Sequence, residues 1–196
     1  MSPQAESILQ LFRDTGAYLN GHFRLTSGMH SPQYLQCALV LQHPRHAEML
    51  GQELAEKLRG LAGGPVAVVA SPALGGLIIG HEAARALGAR HIFTERGPDG
   101  KMTLRRGFGV AAGERAVVVE DVVTTGGSTH DVVEVLRAAG ADVLAAGSIV
   151  DRSGGRADVG VPRAALVTLS VEAWQPEACP LCAEGKPVVK PGSRPV

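Results

Sequence analysis

Residues 117–129, VVVEDVVTTGGST, combine side chains that could bind two parts of one ligand. Glu120 and Asp121 follow an apolar run, and a stretch of threonine, glycine and serine extends from Thr124 to Thr129. Carboxylates accept hydrogen bonds from a sugar diol, whereas the amides and hydroxyls of a small loop before a helix favour an anion. Together they favour a ribose 5-phosphate, with its phosphate in the loop and its hydroxyls on the acids.

Simpler interpretations of the same residues stay open. The loop could be an ordinary capped turn with Ser128 or Thr129 as the N-cap, and the acids could be only solvated. Their combination on one apolar strand favours the ligand site. Other nucleotide motifs do not fit, because the sequence has no GxxxxGK[ST], and GFGVAAG at 107–113 misses the dinucleotide spacing and precedes a strand.

The surrounding pattern predicts an α/β fold with a parallel sheet flanked by helices. The predicted strands are 65–70, 90–94, 115–123 and 141–151, with 165–171 as a candidate fifth. The predicted helices are 4–13, 44–60, 77–88 and 129–140, with short strand and turn at 21–32 and a loop at 71–76. Ligands of such sheets bind at the carboxyl ends of the strands, and the acidic pair lies near one of them.

A long polar segment at 95–109, ERGPDGKMTLRRGFG, is predicted to be a loop. It carries four cations, Arg96, Lys101, Arg105 and Arg106. A loop of this length inside a compact domain is usually functional or disordered. We interpret it as a lid over the ligand, and a solvated charged loop is the alternative.

Composition limits the class of protein. The chain has 196 residues, enough for one domain with a core, and its 19 basic and 19 acidic residues argue against a broad nucleic-acid surface. Neither a targeting pattern nor an apolar run of membrane-spanning length is present. We therefore expect a soluble cytoplasmic protein without nucleic-acid or membrane partners.

Cys179 and Cys182 form a CPLC motif near the end of the chain. One C-x2-C pair could be half of a zinc site or a redox pair. Cys37 stands alone and no histidine follows position 130, so no second pair is evident. Structural or incidental cysteines are the simpler interpretation, and metal or disulfide chemistry stays open.

The acidic segment resembles the phosphoribosyl-pyrophosphate motif of type I phosphoribosyltransferases: an apolar run, two acids, two apolar residues and a Thr/Gly-rich loop. FRLTSGMHSPQYL at 23–35, SPALGG at 71–76 and IVDR at 149–152 resemble segments of the family members that use orotate. The resemblance spans nearly the whole chain. It implies one domain over 1–196, with a parallel core at about 44–170 and a small hood from the N-terminal segment (1–43) and C-terminal tail (171–196).

The resemblance also implies a reaction, the transfer of ribose 5-phosphate from phosphoribosyl pyrophosphate to orotate. Phosphoribosyl pyrophosphate would bind the acidic segment and the 71–76 loop. Its implied contacts are Glu120, Asp121, Val122, Val123, Thr124, Thr125, Gly126, Gly127 and Ser128 in the first, and Ser71, Ala73, Gly75 and Gly76 in the second. Orotate would contact Thr124, Arg152, Gln33, Tyr34, Leu35 and Thr26.

Arg152 would hold the orotate carboxylate, whereas without the family a salt bridge to Asp151 or a surface arginine would be the default interpretation. In the family a lid closes over the neighbouring subunit's site, which implies a homodimer and makes Lys101 the catalytic cation, assisted by Arg96, Arg105 and Arg106. No dedicated metal cage is expected, and Mg²⁺ would arrive with the pyrophosphate.

Two positions depart from the family pattern. Many members carry lysine where this chain has Thr26 and Gly75, so the corresponding pyrophosphate or base contacts are in doubt. Two alternatives therefore stay open: transfer to another nucleobase, and a non-catalytic regulator that senses phosphoribosyl pyrophosphate on the same fold.

Overall fold

The computed structural model describes residues 2–25 and 27–191. The chain forms two compact units, which we call the core unit (Leu41–Leu169) and the terminal unit (Met1–Val40 with Ser170–Val196). The prediction of a hood concerns how such units are arranged, and it remains a prediction. Within the described residues, none of the helices has both the length and the apolar character needed to cross a membrane.

The core unit is built on a six-stranded sheet. Its strands are β3 (Val68–Pro72), β4 (Arg90–Arg96), β5 (Met102–Leu104), β6 (Arg115–Val123), β7 (Asp142–Asp151) and β8 (Arg163–Thr168), in the order β5-β4-β3-β6-β7-β8. All neighbours pair in parallel except β4 and β5. The predicted α/β class with a parallel sheet is confirmed.

Helices cover both faces of this sheet. They are α3 (Pro44–Ala62), α4 (Gly76–Leu87) and α5 (Gly127–Ala138). Val132, Val133 and Leu136 of α5 pack in one cluster with Val68 and Ala70 of β3. Because side chains alternate along a strand, the next residue, Ser71, lies on the opposite face, where it approaches Gly80 of α4. The β6 strand is central and consequently buried on both faces.

The predicted loop at 95–109 is wrong in part. The β4 strand continues to Arg96, and Met102–Leu104 returns antiparallel to it, with Glu95 paired to Thr103. Gly97 donates its N–H to the Lys101 carbonyl across the turn at 2.8 Å, and Gly100 has a φ of +77°. The Asp99–Gly100 pair supports such a turn, and Met102 is buried, so this segment forms a hairpin at the sheet edge.

The terminal unit contains α1 (Pro3–Asp14) and a hairpin of β1 (Tyr18–Arg24) and β2 (His30–Leu35). A short helix α2 (Cys37–Leu41) follows, and near the C-terminus come a 3-10 turn (Pro176–Ala178) and helix α6 (Pro180–Ala183). Isolated bridges join the C-terminal segment to both strands, Val189 to Phe23 and Trp174 to His30.

Candidate active site

The acidic pair occupies both faces of the central strand. Glu120 accepts a hydrogen bond from the hydroxyl of Thr129, in the first turn of α5. Asp121 faces the loop before α4, because a Cβ built on Gly75 would lie 2.6 and 2.7 Å from its two carboxylate oxygens. Adjacent strand residues point to opposite faces, so Glu120 lies on the α5 side of the sheet and Asp121 on the α4 side. The predicted pair thus lies between the two predicted phosphate loops.

Both carboxyls are held in a setting that disfavours their charge. Burial raises the pKa of Glu120 from its ordinary value of 4.5 to about 7, with the charge of Asp121 adding to the rise and the Thr129 hydrogen bond and the Arg96 charge opposing it. Burial also raises the pKa of Asp121. Hydrogen bonds from ligand hydroxyls, or a bound cation, would stabilise the ionised form of such buried acids.

Replacing Glu120 by glutamine is expected to stabilise the ligand-free protein in a pH-dependent way. Above about pH 7 Glu120 is ionised in the folded and unfolded chain, and folding carries the cost of burying the charge. Below about pH 4.5 it is neutral in both states and the cost disappears. Chemical denaturation should therefore show Glu120→Gln more stable by up to about 3 kcal/mol near pH 8, and by close to zero near pH 4.

The matched control for this experiment is Glu134→Gln. Glu134 is an exposed residue of α5 that pairs with Arg137. Its substitution should change the free energy of unfolding little at either pH. An equal effect of Glu120→Gln at both pH values would contradict the raised pKa.

The loop after β6 presents backbone amides at a helix start. Gly126 is the N-cap of α5, with a φ of +88° and no side-chain cap. His130 donates to the Gly126 carbonyl at 2.8 Å, so the amides at Gly127, Ser128 and Thr129 precede the helical hydrogen-bond ladder. The alternative in which Ser128 or Thr129 caps the helix is therefore wrong. Amides and a helix dipole at this point can hold a phosphate.

Glycine is required at position 126 for a second reason. A Cβ there would lie 3.1 Å from the Asp158 carbonyl oxygen and 3.0 Å from a Val159 methyl group. The exposed Thr124 and Thr125 lie just before this point and keep their hydroxyls accessible. Val122 is half-buried and Val123 is buried, so these two can contribute only backbone groups or packing.

The 71–76 loop begins inside the sheet. Ser71 is fully buried, and its hydroxyl lies 2.8 Å from Nε2 of His91, whose pKa is lowered to about 4 by burial and by His81. A phosphate contact from Ser71 would accordingly come from its backbone. Gly76 starts α4 in a tight position, since a Cβ there would lie 3.1 Å from the Val119 carbonyl oxygen. Between them, the Ala73–Leu74 peptide bond is cis.

The four predicted lid cations lie on or beside the β4–β5 hairpin. Arg96 donates to Asp131 at 3.0 Å and to Ser128 at 3.4 Å, which brings a guanidinium to the first turns of α5. Arg106 makes two 2.9 Å hydrogen bonds with Glu95, which lower the pKa of that carboxyl. Lys101 lies exposed at the hairpin turn, and Arg105 is exposed beyond β5.

Arg152 follows the end of β7, next to the strand that carries the acids. Its backbone N–H donates to the Val123 carbonyl at 2.8 Å, which places residue 152 beside the start of the predicted phosphate loop at 124–128. Asp151 forms its ion pair with Arg163 at 2.7 Å. Burial raises the pKa of Asp151, but hydrogen bonds from Ser153 and Arg163 outweigh it and the pKa is lowered overall. The negative charge of Asp151 is therefore paired with Arg163.

The remaining predicted base contacts belong to the terminal unit. Gln33, Tyr34 and Leu35 lie on β2, where Ser31 donates its hydroxyl to the Gln33 carbonyl at 3.0 Å and the Tyr34 ring centroid lies 5.8 Å from that of Phe23. Thr26 lies outside the described residues. The roles of these residues remain predictions.

One cluster was not anticipated. His22 and His30 of the β1–β2 hairpin lie beside Cys179 and Cys182, although more than 140 residues separate them along the chain. In the sequence Cys37 stands alone and no histidine follows position 130, so no further ligand was predicted for the CPLC motif. The available signal was the pair of histidines at the two ends of a predicted strand and turn.

The mostly parallel sheet and the acidic pair near the end of its central strand are features expected of a type I phosphoribosyltransferase. The sequence model of the family described as phosphoribosyl transferase domain matches residues 40–177. This match confirms the family resemblance drawn from the sequence motifs.

Individual related proteins indicate which phosphoribosyltransferases this chain resembles. The orotate phosphoribosyltransferases of Pelotomaculum thermopropionicum and Heliobacterium modesticaldum are each 54% identical to this chain over 96% of its length, and 97% and 98% of their own lengths are covered. The crystal structure of orotate phosphoribosyltransferase from Aeropyrum pernix superimposes with a TM-score of 0.68 at 28% identity, covering 83% of this chain and 93% of that one. The chain belongs to the orotate phosphoribosyltransferase family.

Proposed function

We propose that this protein transfers the 5-phosphoribosyl group from phosphoribosyl pyrophosphate to orotate, forming orotidine 5-phosphate and pyrophosphate for pyrimidine nucleotide synthesis. The position of Glu120 and Asp121 is the main support for the proposed placement of the ribose, its phosphate and its pyrophosphate. One acid is bonded to the first turn of α5 and the other faces Gly75 of the 71–76 loop. A ribose on the acids would therefore have its phosphate and its pyrophosphate directed to opposite loops.

In the reaction the bond between C1 of the ribose and a pyrophosphate oxygen breaks, and a bond forms between C1 and N1 of orotate, which loses its proton. The ring becomes positively charged as the first bond breaks. The carboxylates of Glu120 and Asp121 hold the ribose hydroxyls and favour that charge. The amides from Gly126 to Ser128 hold the 5-phosphate, and the Arg152 guanidinium pairs with the orotate carboxylate.

The acids also fit Mg²⁺, which the family generally uses with phosphoribosyl pyrophosphate. Magnesium prefers oxygen ligands and commonly takes one or two carboxylates together with substrate phosphates. Asp121 lies against the 71–76 loop, where the pyrophosphate would bind, so a cation on this carboxylate could also reach the pyrophosphate. When bound, Mg²⁺ would neutralise charge on the leaving pyrophosphate.

The β4–β5 hairpin supplies the proposed lid of a homodimer. Arg96 holds the base of the hairpin to α5, whereas Lys101 is exposed at the turn. A cation reaching the pyrophosphate stabilises the charge that develops on it, and closure keeps water from the ribosyl cation. In the proposed homodimer, Lys101 serves the site of the neighbouring subunit, with Arg105 and Arg106 assisting.

Mixing two inactive variants tests whether the lid acts on the neighbouring subunit. Lys101→Ala and Asp121→Asn are each expected to lower kcat about 100-fold or more. Co-refolding equal amounts should restore about one quarter of the wild-type activity, because half of the dimers are mixed and each mixed dimer has one intact site. If the lid acted within its own chain, no mixed dimer would contain an intact site and activity would stay at the level of the variants.

The proposed reaction is tested by following ultraviolet absorbance with phosphoribosyl pyrophosphate, in the presence and absence of Mg²⁺. Orotate, uracil, adenine, guanine and hypoxanthine are offered in parallel. Magnesium-dependent consumption of orotate alone is the expected result. Preferential use of a purine would assign another base, and binding of phosphoribosyl pyrophosphate without turnover would indicate a regulator.

A further inference from the structure

Two histidines and two cysteines of the terminal unit converge on one point. They are His22 on β1, His30 on β2, Cys179 at the N-cap of α6, and Cys182 within α6. One potential ligand atom from each residue lies within 4.8 Å of all the others. His22, His30 and Cys179 are buried, and Cys182 is exposed. None of these residues takes part in the proposed reaction.

The nitrogen–sulfur separations are close to the edges of a metal-centred tetrahedron. Nε2 of His22 lies 3.5 and 3.7 Å from the sulfur atoms of Cys179 and Cys182, and Nδ1 of His30 lies 3.3 Å from that of Cys182. Bond lengths of about 2.0–2.1 Å to nitrogen and about 2.3 Å to sulfur give nitrogen–sulfur edges of about 3.6 Å. The two nitrogens are 2.9 Å apart, against about 3.3 Å in the same geometry.

The second nitrogen of His22 is oriented as in a metal-bound imidazole. Its Nδ1 lies 2.8 Å from the backbone carbonyl oxygen of Lys186, to which it can only donate a proton. In the neutral imidazole Nε2 is then the nitrogen without a proton, and it faces the cluster. Metal-bound histidines commonly donate their other N–H to a carbonyl or carboxylate, which fixes the ring and its tautomer.

We propose that His22, His30, Cys179 and Cys182 bind one Zn²⁺ ion as a structural site. A two-sulfur, two-nitrogen tetrahedral set suits zinc among the divalent metals. Four protein ligands leave no open position, so this ion takes no part in catalysis and is separate from the Mg²⁺ that accompanies phosphoribosyl pyrophosphate. The exposed Cys182 provides a path from solvent to the site.

Zinc at this point would fasten the C-terminal segment to the hairpin. Among the residues that the structure describes, the backbone hydrogen bonds between these segments are few: Arg24 and His22 each share one with Val189, and His30 shares two with Trp174. A two-stranded hairpin is marginally stable on its own, and small units commonly require a metal or disulfide. The ion links both strands directly to α6, which lies between Trp174 and Val189 in the chain.

Metal content measured by inductively coupled plasma mass spectrometry tests the site on the intact protein. The protein purified without added chelator should contain about one zinc ion per chain. Cys179→Ser, Cys182→Ser and His22→Ala should each contain less than about one tenth of that amount. Cys37→Ala and His43→Ala are the matched controls, because each removes the same type of residue outside the cluster, and both should retain zinc.

Cobalt substitution identifies the ligands in the wild-type protein, so it does not depend on whether a variant folds. After zinc is removed from the wild type and replaced by Co²⁺, the visible bands of tetrahedral cobalt and the ultraviolet charge-transfer bands of thiolate ligands should appear together. Chelation should also increase amide hydrogen exchange at His30, Trp174 and Val189, while the core unit stays protected.

Three outcomes would overturn the proposal. The first is folded wild-type protein without zinc, or with iron in its place. The second is a Cys179–Cys182 disulfide, detected as two thiols that stay unalkylated in protein denatured with a chelator, and that become reactive only after a reductant is added. The third is cobalt binding without thiolate charge-transfer bands.

Discussion

Arg152→Ala is expected to lower kcat/KM for orotate about 100- to 1000-fold, a loss of about 3–4 kcal/mol. The guanidinium offers two parallel donors to a planar carboxylate, and alanine would leave the orotate charge bound without a partner. The KM for phosphoribosyl pyrophosphate should change little, because the acids and the phosphate loop remain. Steady-state kinetics with each substrate varied in turn measures both effects.

Arg156→Ala is the matched control for that substitution. Arg156 is an exposed arginine four residues further along, and its backbone N–H donates to the Ser153 hydroxyl oxygen. Its activity should stay close to that of the wild type. An Arg152→Ala enzyme that keeps its KM and kcat for orotate would remove Arg152 from the base site, and selection of the base would then have to come from elsewhere.

The double substitution Glu120→Gln with Asp121→Asn is expected to lower kcat/KM for phosphoribosyl pyrophosphate about 1000-fold. Each amide keeps the size of the acid, but it removes the negative charge and adds a donor where the ribose hydroxyls also donate. The amides of the loop from Gly126 to Ser128 are unchanged. Calorimetry should therefore show weaker binding of phosphoribosyl pyrophosphate with little change for inorganic phosphate.

An equal loss of both ligands would mean that the substitutions had disturbed the loop through the Thr129–Glu120 hydrogen bond. The single variants separate these cases, because Asp121→Asn leaves that bond in place. Full activity of the double variant would contradict the proposed role of the acids.

The central strand could be predicted from the sequence because its information is local. The apolar run before Glu120 requires a strand buried on both faces, and the predicted bounds 115–123 are those of β6. The start of α5 was harder to predict. Hydroxyl residues suggested a side-chain cap, whereas the close approach of the Asp158 carbonyl requires glycine at position 126, and the sequence does not reveal that contact.

The β4–β5 hairpin shows how charge can conceal a strand. Arginine and glutamate at the edge of the sheet give a polar pattern, and only Met102 is deeply buried among the residues of β5. Edge strands bury one face at most, so their apolar signal is weak. The Asp99–Gly100 turn was the signal that could have indicated the hairpin.

Long-range convergence could not be predicted in the same way. The contact between Asp121 and Gly75 depends on two strands that are adjacent only after folding. The histidine and cysteine cluster joins the two ends of the chain, and neither half alone indicates a complete metal site. For the Asp121–Gly75 contact and for the cluster, the residue types indicated possible chemistry. The sequence did not show which segments lie together after folding.

Quantifying both products shows whether the ribosyl group passes from phosphoribosyl pyrophosphate to orotate. The purified protein is incubated with orotate, phosphoribosyl pyrophosphate and Mg²⁺, and the nucleotide and pyrophosphate are measured by chromatography with mass detection. We predict equal amounts of orotidine 5-phosphate and pyrophosphate, matching the orotate consumed. Bound phosphoribosyl pyrophosphate without any orotidine 5-phosphate, or preferential formation of a nucleotide of another base, would contradict the proposed function.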